Sequence, residues 1–98
     1  MLRLTVRGQT PEEALLQVEG WVVEPDLSLL AQEGARLLAA SQRLVLDLKG
    51  VVFMDAAGVA LLEQWAGPRL ALRDGPPFLR LLLQRHGLHC EEGGEKEP

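Results

Sequence analysis

Leu44-Val45-Leu46-Asp47-Leu48-Lys49-Gly50-Val51-Val52-Phe53-Met54-Asp55-Ala56-Ala57-Gly58-Val59-Ala60-Leu61-Leu62 changes character halfway along. Its first part, from Arg43 to Leu48, is β-rich and densely apolar, the pattern of a strand covered on both faces. Gly50 reads as the end of that strand, and Val51 to Met54 as a lead-in to the next element. From Asp55 onward the pattern is helical. Asp55 stands where an N-cap belongs, and Gly67-Pro68 closes the helix. A strand feeding a capped helix is half of a parallel crossover unit.

The flanks continue the alternation. Arg69 to Arg73 reads as a short strand stopped by Asp74-Gly75-Pro76, and Pro77 then opens a helix carrying Phe78, Leu79, Leu81, Leu82 and Leu83. Gly87 is its natural terminator. Upstream, Leu27, Leu30, Ala31, Gly34, Leu37 and Leu38 share one helical face between an entry at Glu24 or Pro25 and an exit near Ser41. At the N-terminus, Leu2, Leu4 and Val6 alternate with Arg3, Thr5 and Arg7, as in a strand with one wet face. Residues 10–19 admit two readings. Thr10-Pro11-Glu12-Glu13 has the form of a capped helix start, whereas Leu16 and Val18 alternating with Gln17 and Glu19 suggest a second strand. The strand, over about 14–23, is preferred because a lone first strand needs a partner. The expected order is β-β-α-β-α-β-α. It implies one α/β domain over residues 1–90, with a mixed sheet of four or five strands and three helices mainly on one face. Glu91 to Pro98, with four Glu and one Lys, is expected to be a disordered acidic tail.

Composition excludes several functions. At 98 residues and net charge −4, the chain is small and acidic, so neutralisation of nucleic-acid phosphates is not expected. No apolar run approaches the length of a membrane span, and MLRLTVRGQT has no signal-peptide core. A cytoplasmic setting is expected, with no direct membrane insertion. The single Cys90 allows no internal disulfide and no cysteine-built metal site. Hydroxyls are scarce: Thr5, Thr10, Ser28 and Ser41 are all there are, and no Tyr occurs.

The passage Asp47-Leu48-Lys49-Gly50-Val51-Val52-Phe53-Met54-Asp55, followed by Ala56-Ala57-Gly58 and the leucine-containing helix, resembles the signature of STAS domains, the family of bacterial anti-sigma factor antagonists. The resemblance extends over about residues 2–89, with Gly75 to Leu88 similar to the family's next helix and its closing Gly-Leu. It implies a binding module. In such antagonists the residue after the motif Asp is a Ser at a helix N-terminus, phosphorylated by a kinase that is also the anti-sigma factor. The dephosphorylated form binds that kinase and frees the sigma factor. A phosphate adds about −1.5 to −2 charges at the contact surface. Here Ala56 occupies the Ser position, and no Ser, Thr or Tyr lies anywhere from Gln42 to Pro98. No phosphorylation is therefore expected at this turn. The implied partner is an anti-sigma kinase-like ATPase. The alternative is an ATPase of an ABC-type lipid-transport complex, which STAS-like subunits also serve.

The expected contact surface is Asp55, Ala56, Ala57, Gly58 and Val59. Each has a structural role to weigh beside it: Asp55 as a helix cap, Gly58 as a close-packing position. Leu61, Leu62 and Trp65 are expected to form the core stripe of this helix, leaving Val59 and Ala60 nearer the surface. Trp21 is read as core or edge cover in preference to an interface anchor. His86, His89 and Cys90 lack a fourth ligand, so no metal is expected. The histidines read as solvated and Cys90 as an unpaired thiol at the start of the tail. Asp47 and Asp55 are the one candidate acid/base pair. No Gly-rich phosphate loop or Ser–His pair accompanies them, so neither enzymatic activity nor a cofactor is expected.

Overall fold

Period-2 patterning at the N-terminus produces two paired strands, β1 (Leu2–Gln9) and β2 (Glu13–Val22). The computed structural model describes residues 1–91. After the hairpin come α1 (Leu27–Ala40), β3 (Arg43–Met54), α2 (Ala56–Trp65), β4 (Leu70–Arg73), α3 (Pro77–Arg85) and β5 (Cys90–Glu91). The strands form one sheet in the order β1-β2-β3-β4-β5, with β1 antiparallel and every other pair parallel. Each helical crossover steps in the same direction across the sheet. Crossovers of one hand then place α1, α2 and α3 on one face.

Residues 13–22 are a strand, as the hairpin reading expects. The Thr10 hydroxyl accepts from the Glu13 N–H at 3.0 Å, and the Thr10 N–H donates to the Glu13 carbonyl at 2.9 Å. The residues that resemble a helix cap thus close the hairpin loop. Ser41, a buried polar residue, donates to the Thr10 carbonyl at 2.6 Å and ties α1's exit to that loop. At the other end of α1 the cap position is Asp26, one or two residues after the expected entry.

Two expectations need correcting. First, β3 does not stop at Gly50 but runs on to Met54. Its pairing with β2 has two irregularities, between Gln17 and Glu19 and between Gly20 and Trp21, where β3 accommodates extra residues and regains register. The Asp47 carboxylate accepts the Lys49 N–H at 3.0 Å and supports the first of these. Gly50 is small for a packing reason, since a Cβ there would lie 2.8 Å from Glu19 Cγ. Second, Cys90 is not the start of a solvated tail. With Glu91 it forms β5, buried against β4, and its sulfur accepts the Gly75 N–H at 3.2 Å. The disorder expected of the tail falls on residues 92–98, outside the described residues.

The core lies between the sheet and the helices. Leu16, Val18, Leu44, Leu46 and Leu48 from the strands meet Leu30, Leu37, Leu62, Leu79 and Leu83 from the helices. Alternation sends the remaining strand residues to the opposite face. There Leu15, Val45 and Ala71 stand in register, as do Thr5, Gln17, Asp47, Arg73 and Glu91 across all five strands.

Candidate functional site

Asp55 ends β3 and caps α2. Its Oδ1 accepts the Gly58 N–H at 2.8 Å, the third helical position, where an N-cap carboxylate is expected to bond. Its Oδ2 accepts the Glu24 N–H at 3.4 Å, and its own N–H donates to the Val22 carbonyl at 3.2 Å. One side chain therefore pins the start of α2 to the loop that leads into α1. The cap role and the contact role are compatible, because the neighbouring Ala56 is exposed and Ala57 half-buried.

Gly58 and Val59 lie beneath this turn. A Cβ on Gly58 would approach the Val22 carbonyl oxygen to 2.7 Å and Met54 Cγ to 2.8 Å, so glycine lets the first turn of α2 seat directly on the strand ends. Seating there rotates the helix. Its buried stripe is Gly58, Val59 and Leu62, while Leu61 and Trp65 are only partly buried. Val59, expected near the surface, is 2% exposed. Trp65 finds its packing on α1 instead, where a Cβ at Gly34 would fall 2.1 Å from the indole ring. Among the five residues of the expected contact surface, Ala56 is exposed, Asp55 and Ala57 are half-buried, and Gly58 and Val59 are buried beneath the turn.

Beside the turn runs an apolar groove of about 440 Å³, lined by Glu24, Pro25, Leu27, Ser28, Ala31 and Leu61. Nothing in the sequence marked it. It depends on α1 and α2 being neighbours and on Glu24 being held by Asp55. The acids Glu24, Asp26 and Asp55 cluster at this end of the sheet, and α2 carries no Lys or Arg.

The other candidates are dispersed. Asp47 and Asp55 do not form an acid/base pair: Asp47 bonds the β3 irregularity on the helix-free face, and Asp55 caps α2. His86 Nδ1 sits 3.1 Å from Glu63 Oε2 on the surface, His89 is exposed, and Cys90 is buried. Among the described residues no group of three His, Cys, Asp or Glu is placed to hold a metal ion, and no helix is long and apolar enough to cross a membrane. Burial pushes the Cys90 thiol above the usual thiol range, outweighing the lowering effects of the Gly75 N–H and of Arg80. Of the two roles expected for Trp21, core is excluded and cover remains: it is half exposed on the helix-free face, its ring tilted against Phe53 at 5.3 Å between centroids. Counting alternate residues from Leu16 and Val18 would have placed it outward.

A five-stranded sheet with its helices on one face and a pinned, exposed β3–α2 turn defines a small α/β domain with the topology expected of anti-sigma factor antagonists. The profile described as Mlab, STAS domain matches residues 5–90, and the chain belongs to the STAS domain family. Domains of this kind are regulatory binding modules and not typical enzymes. Among solved structures, the fold is similar to that of the anti-sigma factor antagonist SpoIIAA in its unphosphorylated form. The TM-score is 0.77 at 21% identity, over 95% of this chain and 90% of that one. The Bacillus cell fate determinant SpoIIAA in its phosphorylated form gives 0.69 at 21% identity, over 95% and 93%. An antisigma-factor antagonist STAS domain from Rhodobacter sphaeroides gives 0.50 at 19% identity, over 95% and 86%. At these identities the likeness concerns the fold. No curated protein matches the chain in sequence.

Proposed function

We propose that this domain is a protein-binding module of bacterial signalling whose partner docks on the turn formed by Asp55, Ala56 and Ala57, and that it works without a phosphorylation switch. The observation that carries this reading is Ala56: an exposed methyl at the first position of α2, next to a carboxylate bonded to backbone on both sides. These two bonds hold the turn in place, so a partner would meet a preorganised surface. The adjoining groove between α1 and α2 supplies apolar area for docking. A methyl cannot accept a phosphoryl group, so control passes to the partner or to expression level.

The partner proposed, on the family resemblance, is an anti-sigma kinase-like ATPase. A tagged pull-down at native expression, read by mass spectrometry, tests this. Recovery of a histidine-kinase-like ATPase supports it, and recovery of an ABC ATPase with its permease reassigns the module to transport. With the recovered partner, Ala56→Glu tests the turn. The new carboxylate would lie among Glu24, Asp26 and Asp55 and would be desolvated on docking. The expected result is an unchanged melting transition with binding weakened about tenfold or more, equivalent to about 1.4 kcal/mol. Binding at parental strength in Ala56→Glu would place the contact elsewhere. Ala56→Ser should bind like the parent in the absence of ATP.

A further inference from the structure

We propose that the open edge of β1 takes up an extended, acidic segment of a partner protein as an added strand of the sheet. β1 is an outer strand of 8 residues, whereas β5, at the opposite edge, has 2. The Trp21 N–H donates to the Met1 carbonyl at 2.8 Å, which fixes how the β1–β2 ladder alternates. In an antiparallel pair, residues that bond across the ladder alternate with residues whose N–H and C=O point away from it. Leu2 stands opposite Gly20, Leu4 opposite Val18 and Val6 opposite Leu16. Arg3 and Thr5 therefore bond to β2, and Leu2, Leu4 and Val6 turn their N–H and C=O groups outward. Among the described residues no other element meets these groups. A strand laid along this edge gains main-chain hydrogen bonds from all of them. Its side chains would sort by face. On the helix side Leu2 and Leu4 are half-buried and Val6 is 38% exposed, so apolar residues of the added strand would cover them. The irregularity between Val6 and Gly8 bends β1, so the flat edge runs from Leu2 to Val6 and suits a segment of about five residues.

Charge selects the occupant. Arg3 and Arg7 stand on the helix-free face, and β1 carries no acid. Glu19 lies opposite Arg3, whereas Arg7 donates to the neutral Gln17 at 3.2 Å. A second copy does not suit this edge. Antiparallel pairing of two β1 strands about Thr5 would put Arg3 directly opposite Arg7, and pairing about Leu4 would leave them diagonal neighbours. Like charges opposed on a sheet are destabilising. Glutamate or aspartate at alternate positions of another strand would meet the same two arginines favourably. The net charge of −4 does not reverse this, because physiological salt screens charges beyond about 8 Å and the arginines are what an approaching strand meets first. Arg3 and Arg7 thus guard the edge against self-association and choose its partner. β1 lies two strands from β3, so the Asp55 turn stays open and the proposal does not depend on the partner-binding reading above.

Amide exchange of the full chain, followed residue by residue by NMR, tests the proposal. The probe is the peptide acetyl-Glu-Val-Glu-Val-Glu-Val-Glu-amide at up to about 1 mM, the range of weak association. Exchange at Leu2, Leu4 and Val6 is expected to slow about fivefold or more, while Arg3 and Thr5, already bonded to β2, stay as they were. The same peptide with Lys in place of Glu should leave all these amides unchanged. Val6→Pro removes an outward N–H at an exposed edge position, where proline is tolerated, and should abolish the slowing. Arg3→Glu combined with Arg7→Glu, at two exposed positions, should reverse the preference, so that the lysine peptide slows the same amides. No slowing at about 1 mM, slowing without the alternation, or an equal response to the lysine peptide overturns the proposal. Slowing of these amides with rising protein concentration and no peptide would put a second copy on the edge and overturn it equally.

Discussion

A methyl group at position 58 would meet the Val22 carbonyl oxygen at 2.7 Å, well inside van der Waals contact and against backbone that cannot swing away. Two effects oppose one another there. Alanine is favoured over glycine within a helix by about 1 kcal/mol. Overpacking against strand ends costs typically about 1–3 kcal/mol. The clash with backbone decides the sign, and Gly58→Ala should lower stability by about 1–2 kcal/mol, measured as the urea midpoint at unchanged m-value. A midpoint equal to or above the parent's would mean that α2 can lift off the strands at little cost. The neighbouring residues also show what sequence reveals at this scale. Asp55 was legible as a cap because capping is local: a carboxylate before a helix finds an N–H three residues on. The burial of Val59 was not, because it depends on how far α2 rolls toward Val22 and Met54, and Gly58 permits that roll only in the assembled fold.

α1 shows the same contrast among elements. Its amphipathic face and its approximate ends were readable from Leu27 to Ser41, yet the group that finishes it lies far along the chain. Arg69, just before β4, donates through Nη2 to the Leu38 carbonyl and, at 2.9 Å, to the Ser41 carbonyl, and through Nε to the Gln42 carbonyl at 2.9 Å. These carbonyls include those a helix leaves without partners, and a cation there also suits the helix dipole. Hydrogen bonds to a charged donor contribute about 1.5–3 kcal/mol when shielded, and less here because Arg69 is exposed. Arg69→Ala is expected to cost about 1 kcal/mol and to speed amide exchange at Ser41 and Gln42, while exchange in α3 stays as it was. Uniform acceleration in both helices would show that the arginine supports global stability alone. No sequence pattern linked Arg69 to α1. The continuation of β3 past Gly50 was hidden for a related reason, since it is the pairing with β2 that makes Lys49 and Val52 irregularities instead of an end.

For the whole molecule, the alternation of strands and helices made the topology legible, but β5 escaped it because two residues carry no period. What makes Cys90–Glu91 a strand is long-range: Cys90 and Glu91 pair with Leu72 and Arg73, the Asp74 N–H donates to the Glu91 carbonyl at 2.7 Å, and the Gly75 N–H donates to the thiol. Cys90 therefore reports whether this last edge of the sheet is closed. Desolvation is the main cause of its raised pKa, with Asp74 and Glu91 adding to it, so the folded state holds the thiol proton more tightly than the unfolded chain. Any stability from this linkage is accordingly fully present below the unfolded thiol's pKa and is lost as pH rises through the folded one. Alkylation by iodoacetamide, which needs a reachable thiolate, should then be slowed twice in the native protein, by burial and by the proton. At pH 8 the native rate is expected to be at least about tenfold below the rate in denaturing urea, an opening cost of about 1.4 kcal/mol or more. A rate climbing with pH up to and beyond the range where a free thiol levels off would show the raised pKa directly. Equal rates in buffer and in urea would mean that β5 is not held against β4, and that the sheet ends at Arg73.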